Sequence, residues 1–79
     1  MHWPAAYADF NVFRRRRRPE LRCAVRQDRP VPRFIDGAIW EFSGTVVGER
    51  PPAGFQSLEA HEAMLSAGYY LFRSPGARN

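Results

Sequence analysis

The most distinctive chemistry in this chain is a run of five consecutive arginines, Arg14 to Arg18. All twelve basic residues are arginine, and a planar guanidinium can donate paired hydrogen bonds to a phosphate or a carboxylate. Codon preference in a GC-rich genome would account for arginine in place of lysine, but it would not account for an uninterrupted run. The run therefore indicates a surface for an anionic partner.

Charge is distributed unevenly along the sequence. Residues 1–33 contain nine arginines and three acidic residues, a balance of +6, whereas residues 34–79 contain three arginines and five acidic residues, a balance of −2. This asymmetry predicts a basic segment attached to a near-neutral body. The residues predicted to bind nucleic-acid phosphates are Arg14, Arg15, Arg16, Arg17, Arg18, Arg22 and Arg26.

The remaining reactive residues of the sequence form no catalytic or metal-binding motif. His61-Glu62 begins like the zinc motif H-E-x-x-H, but Leu65 stands where the second histidine is required, so two imidazoles cannot converge on a metal from one helix. Cys23 alternates with Leu21 and Val25 on the inward face of a predicted strand, where burial makes a thiol unreactive. We expect no enzymatic activity, no metal and no cofactor.

The length of the chain limits its core. A domain of 79 residues buries only about 60% of its unfolded surface, and a single cysteine excludes an internal disulfide. Association with another molecule, as a homo-oligomer or as a subunit of a larger complex, would therefore add needed stability. The sequence shows no apolar stretch of membrane-spanning length and no signal peptide, so the cytoplasm is the expected compartment.

The first residues predict an aromatic segment followed by a basic arm. Trp3, Tyr7 and Phe10 follow the i, i+4, i+7 spacing of an amphipathic helix over about residues 4–14. The arginine run that follows should be an extended and mobile arm, because like charges repel one another. This gives a division into an arm (1–19), a small domain (20–73) and a tail (74–79).

The small domain is predicted to be α+β, with an antiparallel sheet and one helix on a face. Leu21 to Arg26 alternate as a strand, with Arg22, Ala24 and Arg26 toward solvent. Asp36-Gly37 between apolar residues predicts a type I′ hairpin whose second strand runs over 38–47, with Arg33 beside Trp40 in a cation–π contact and a bulge or bend at Gly44. A helix over 58–67 follows, with Ser57 as its N-cap and Gly68 at its C′ position. Its apolar side is expected to pack on the sheet and consists of Leu58, Ala60, Ala63, Met64, Leu65 and Ala67. Residues 69–72 form the last predicted strand.

The leading functional hypothesis is nucleic-acid binding through backbone phosphates, DNA or RNA, with low sequence specificity. The seven predicted arginines would make on the order of five to seven phosphate contacts. Phe10 and Phe13, which precede the run, would stack on unpaired bases.

Two alternatives remain. The chain is a protein-interaction module, such as a small subunit, an adaptor or an inhibitor, in which Phe34 and Ile39 on the outer face of the hairpin contact the partner and the arginines lie on an acidic protein surface. The less favoured alternative is a peripheral membrane protein, held by the aromatic segment and the basic cluster together.

Overall fold

The computed structural model of this chain describes residues 8–47 and 50–75. Its elements, in chain order, are β1 (Phe10–Arg15), β2 (Arg18–Arg26), β3 (Trp40–Val46), α1 (Ser57–Ser66) and β4 (Tyr70–Arg73).

The four strands form one antiparallel sheet in the order β3-β1-β2-β4. The helix α1 packs against β2 and β4. The coarse prediction of a small α+β fold with an antiparallel sheet and one helix is therefore confirmed.

Phe55 lies at the centre of the core on one face of the sheet. Its ring is 5.2 Å from each of the rings of Phe10, Tyr70 and Phe72, in edge-to-face geometry, an arrangement that aromatic pairs favour. The backbone N–H of Gln56 donates to the Tyr70 hydroxyl at 3.1 Å, which fixes the entry to α1 above this face. The other buried apolar residues are Val12, Cys23, Ala24, Val25, Trp40, Val46, Ala60 and Met64.

The prediction of an extended basic arm is wrong. Arg14 and Arg15 belong to β1, Arg16 and Arg17 form a two-residue turn, and Arg18 begins β2. Successive side chains of a strand point to opposite faces, so the charges of the run are divided between the two faces of the sheet instead of repelling along one line. The boundary predicted at residue 19 consequently falls inside β2.

The predicted N-terminal helix is wrong where the structure describes it. Residues 10–14, its C-terminal part, are in β1, because Phe10 and Val12 alternate with Asn11 at the period of a strand and pair with strands on both sides. Trp3 and Tyr7, on which the rest of that prediction depends, lie outside the described residues.

The predicted Asp36-Gly37 hairpin is also wrong. A type I′ turn requires positive φ at both central residues, and neither Asp36 nor Gly37 has it. Instead, the Asp36 carboxylate accepts the N–H of Ala38 at 2.9 Å, while its carbonyl accepts the N–H of Ile39 and of Trp40. Asp36 thus closes a local turn, and β3 pairs with β1 in place of the strand expected at Phe34.

A β-bulge sets the register between β1 and β3. Val12 pairs with Gly44, but the next residue, Phe13, pairs with Phe42, which leaves Ser43 as the extra residue. Gly44 has a φ of 138°, a conformation that other residues rarely adopt. The bend or bulge expected at Gly44 is confirmed, and its effect is to place Glu41, rather than Phe42, opposite Arg14.

The helix agrees closely with its prediction. It spans Ser57–Ser66, with Gln56 and not Ser57 at the N-cap position. Gly68, with a φ of 86°, donates its N–H to the Met64 carbonyl, which confirms it as the C′ residue.

Burial differs from the sequence pattern at two places. Ala24, expected on the solvent face of β2, is fully buried, because both faces of this central strand are covered. Leu58 and Leu65, expected against the sheet, are 72% and 68% exposed. Of the apolar side expected to pack on the sheet, Ala60 and Met64 are buried.

Candidate nucleic-acid interface

The arginine run occupies the tip of the β1–β2 hairpin, which we call the hairpin tip (Arg14–Arg18). The backbone N–H of Arg16 donates to the Ile39 carbonyl at 2.8 Å, and its guanidinium donates to the Gly37 carbonyl at 2.8 Å. These bonds fasten the tip to the segment 27–39, which connects β2 to β3. The tip is therefore held in place by the fold.

Glu41 neutralises part of the charge of the hairpin tip. Its carboxylate accepts from Arg14 Nε at 2.6 Å and from an Arg16 terminal nitrogen at 3.0 Å. The hydrogen bond from Arg14, assisted by the charges of Arg14 and Arg16, holds the pKa of Glu41 below its usual value. Two of the five guanidiniums of the run are thus paired within the chain.

Two further predicted phosphate ligands are engaged within the chain, Arg22 by neutral acceptors and Arg26 by a carboxylate. Arg22 donates to the Pro19 carbonyl at 2.6 Å and to the Ser43 hydroxyl at 3.2 Å. Arg26 makes two bonds to the Asp28 carboxylate, at 3.0 and 2.6 Å, and this hydrogen-bonded pair lowers the pKa of Asp28.

Three arginines of the hairpin tip keep their charge uncompensated within the described residues. The Arg15 guanidinium lies over the Trp40 ring, 5.9 Å from its centroid, which is a cation–π contact. Arg17 and Arg18 are exposed, and no side-chain hydrogen bond or ion pair to another described residue engages them. The sequence prediction of seven phosphate ligands therefore reduces to three unpaired arginines: Arg15, Arg17 and Arg18.

Beside the hairpin tip lies an open hollow of about 370 Å³, which we call the aromatic hollow. Its floor is the face of the sheet opposite Phe55, and its wall is the segment 27–39. The Phe34 ring meets the rings of Tyr69 and Trp40 edge to face, at 4.8 and 6.1 Å. The lining residues are Arg15, Leu21, Phe34, Ile39, Trp40, Tyr69 and Leu71.

A smaller hollow of about 120 Å³ adjoins it on the basic side. Its walls are Arg15, Arg16, Arg17, Ala38 and Ile39. Because Arg15 and Ile39 line both hollows, the basic and aromatic surfaces are continuous. The two groups of residues predicted separately, the arginine run and the pair Phe34 and Ile39, thus converge on one site.

Sequence reasoning missed several of these positions. It paired Trp40 with Arg33 across the supposed hairpin, whereas the strand pairing places Arg15 on Trp40. It also assigned base stacking to Phe10 and Phe13, but Phe10 is fully buried and Phe13 packs on Phe42 at 5.9 Å. Alternation of Tyr69 and Leu71 with the buried Tyr70 was the available signal for the aromatic hollow.

The remaining reactive groups of the described residues form no further site. Burial raises the pKa of Cys23 to about 12, so the thiol stays protonated. No group of three or more potential metal-binding side chains occurs in residues 8–47 and 50–75. Over the same residues, no helix is long and apolar enough to cross a membrane.

Comparison with protein families, with curated proteins and with solved structures finds nothing similar to this chain.

Proposed function

We propose that this protein binds nucleic acid through its backbone phosphates, with the hairpin tip as the contact surface. The observation that carries the proposal is the group of three exposed arginines, Arg15, Arg17 and Arg18, that no described acidic residue neutralises. They project from a hairpin that the sheet and the segment 27–39 hold in place, so binding does not require the ordering of a mobile arm.

The structure limits the strength of this binding. Three unpaired arginines imply about three phosphate contacts, and thus a slope of log K against log salt of about −2 on a single strand or −2.7 on a duplex. Such contacts position the protein without identifying bases. The expected binding is therefore moderate, sensitive to salt and weakly sequence-specific.

The test is fluorescence anisotropy of labelled single-stranded and duplex oligonucleotides at low salt. The variant Arg17→Gln/Arg18→Gln removes two unpaired charges from the hairpin tip and should abolish most of the binding. Arg29→Gln/Arg50→Gln is the matched control, because it removes two exposed arginines from other parts of the chain and leaves the tip intact.

The outcomes separate the hairpin tip from net charge. Loss of binding in the tip variant, with the control retaining most of its affinity, supports the proposal. Equal losses in both variants would mean that binding depends only on the total charge. An absence of binding by the wild-type protein at low salt would refute the proposal.

A second candidate function is protein binding by strand addition. β3 is an edge strand, so the backbone groups along its outer side are available to a partner strand. Phe42 on this strand is 60% exposed. Phe42→Lys should abolish such an association while leaving oligonucleotide binding unchanged. Size-exclusion chromatography with light scattering would show whether the partner is a second copy of the chain.

A further inference from the structure

We infer that the aromatic hollow binds one unpaired base of a single-stranded nucleic acid whose neighbouring phosphates lie on the hairpin tip. This inference rests on the proposed function, because it identifies which form of nucleic acid the same site prefers. In place of Phe10, which is buried, and Phe13, which packs on Phe42, it assigns the contact with the base to the exposed Phe34 and the half-buried Tyr69, with the buried Trp40 beneath them.

The shape and lining of the hollow suit a base. Its volume of about 370 Å³ lies within the roughly 300–1,000 Å³ of small-molecule sites, which are mostly apolar and aromatic with a few polar groups. Phe34, Ile39 and Leu71 are each exposed by more than two fifths of their surface and line the hollow together, so they offer apolar surface to a ligand. Aromatic side chains accept any base, since every base has a π-face.

Charge identifies the occupant as a nucleotide and not as a neutral apolar ligand. Arg15 lines the aromatic hollow and also the smaller basic hollow formed with Arg16 and Arg17. An apolar planar group in the first hollow would therefore have a cationic surface directly beside it. A base linked to a phosphate combines a flat apolar part with an anion, whereas an uncharged ligand lacks the anion.

The same geometry disfavours a duplex. Bases of a duplex are stacked on their neighbours and paired, so that only their edges are accessible, and extruding one costs a few kcal/mol. A single strand presents its bases without this cost. The site should therefore bind single strands more tightly than duplex, although the duplex carries more charge.

The experiment compares three probes of equal length by fluorescence anisotropy: oligothymidylate, its abasic counterpart and a duplex. The abasic strand keeps every phosphate and lacks every base, so it isolates what the bases contribute. We expect the affinity for oligothymidylate to be at least about tenfold higher than the affinity for the abasic strand, in line with the contribution of one stacked base.

Two variants locate the base. Phe34→Ala and Leu71→Gln alter exposed residues that line the aromatic hollow but not the smaller basic hollow. Both should reduce binding of oligothymidylate to the level of the abasic strand, without affecting the abasic strand itself. Leu65→Ala is the matched control, since it truncates an exposed apolar residue on α1. Thermal unfolding of each variant shows that the fold is retained, and two variants protect the test against the failure of one to fold.

The results distinguish this inference from the proposed function. If none of the three probes binds, the proposed function fails and the inference fails with it. If oligothymidylate and the abasic strand bind equally, phosphate binding stands and the base site is refuted. Preference for the duplex, or insensitivity to both hollow variants, would also refute it, and the hollow would then belong to another ligand such as an acidic peptide.

Discussion

Glu41→Gln should strengthen nucleic-acid binding, because Glu41 competes with phosphate for Arg14 and Arg16. The glutamate carboxylate lies 2.6 and 3.0 Å from these two guanidiniums, and glutamine removes its charge while keeping its size. The variant leaves Arg14 and Arg16 free to contact phosphates together with the three unpaired arginines of the hairpin tip.

The magnitude follows from the number of contacts. Three contacts on a single strand give a log–log salt slope of about −2, and five give about −3.5. Between about 50 and 200 mM salt, wild-type affinity should fall about 20-fold and that of Glu41→Gln about 130-fold. The difference in affinity between the two proteins should therefore be greatest at low salt.

Anisotropy titrations of a single-stranded oligonucleotide over this salt range provide the measurement. Glu62→Gln is the control, because it removes the same charge from an exposed position on α1 that forms no ion pair with an arginine of the described residues. An unchanged slope in Glu41→Gln, or an equal increase in affinity in both variants, would refute the reasoning that Glu41 withholds two arginines from the ligand.

Acid should reproduce the effect of this substitution in the wild-type protein. The Arg14 hydrogen bond lowers the pKa of Glu41 in the folded state, so the ion pair stabilises the fold above the unfolded-state pKa of the glutamate, and this contribution disappears as pH falls through the lowered pKa. Binding by the wild-type protein should then approach that of Glu41→Gln, whereas the variant should lack this step.

Three further predictions concern the fold. Phe55→Ala should lower the free energy of unfolding by about 3–5 kcal/mol, which is most of the stability of a domain this small. Chemical denaturation should therefore show a largely unfolded variant. A loss below about 1 kcal/mol would contradict the central place of Phe55 in the core. Gly44→Ala should lower the free energy of unfolding by about 1–3 kcal/mol through backbone strain alone, since nothing beyond its chain neighbours lies within 4 Å of the added Cβ. An unchanged thermal midpoint would contradict the bulge. Cys23 should resist thiol reagents until the protein unfolds. Because its pKa is raised to about 12 in the folded state, the free energy of unfolding should decline as pH rises above about 9. Cys23→Ser should lack this decline.

The sequence predicted those elements whose signal is local. Periodic spacing located α1 and β4 within one residue at each end, and Gly68 marked the end of the helix. Alternation located β2, and Gly44 the bend in β3. Each of these depends on neighbours in the chain, so the residues themselves carry the information.

The elements that failed depend on partners distant in sequence. The arginine run is a poor candidate for a strand until Glu41 pairs with Arg14 and the Trp40 ring lies under Arg15, and both partners are more than twenty residues away. Asp36-Gly37 is a strong hairpin signal, but the pairing of β1 with β3 overrides it. Phe55 stands among prolines and glycines that predict a surface loop, and only the assembled sheet shows that its ring fills the core.

The candidate site was predicted in its residue types but not in its arrangement. The arginine run predicts an anionic partner because no hydrophobic core requires it, whereas Phe34 and Ile39 were predicted on the outer face of a hairpin that does not form. Their convergence on one site could not be predicted from the sequence, because it depends on the segment 27–39 crossing the sheet to meet the hairpin tip. The same crossing places Arg15 over the Trp40 ring. Because Glu41 pairs with only two arginines of the hairpin tip, the other three remain unpaired among the described residues.

The most direct test of nucleic-acid binding at the hairpin tip is a residue-by-residue map by NMR. In a ¹H–¹⁵N titration with a short single-stranded oligonucleotide, the account predicts that the largest shifts occur at the arginine Nε signals of Arg15, Arg17 and Arg18 and at the amides around Ile39. Little change is expected at Leu58 and Leu65 on α1. Shifts concentrated on α1 or along the free edge of β3, or no shifts at low salt, would contradict it.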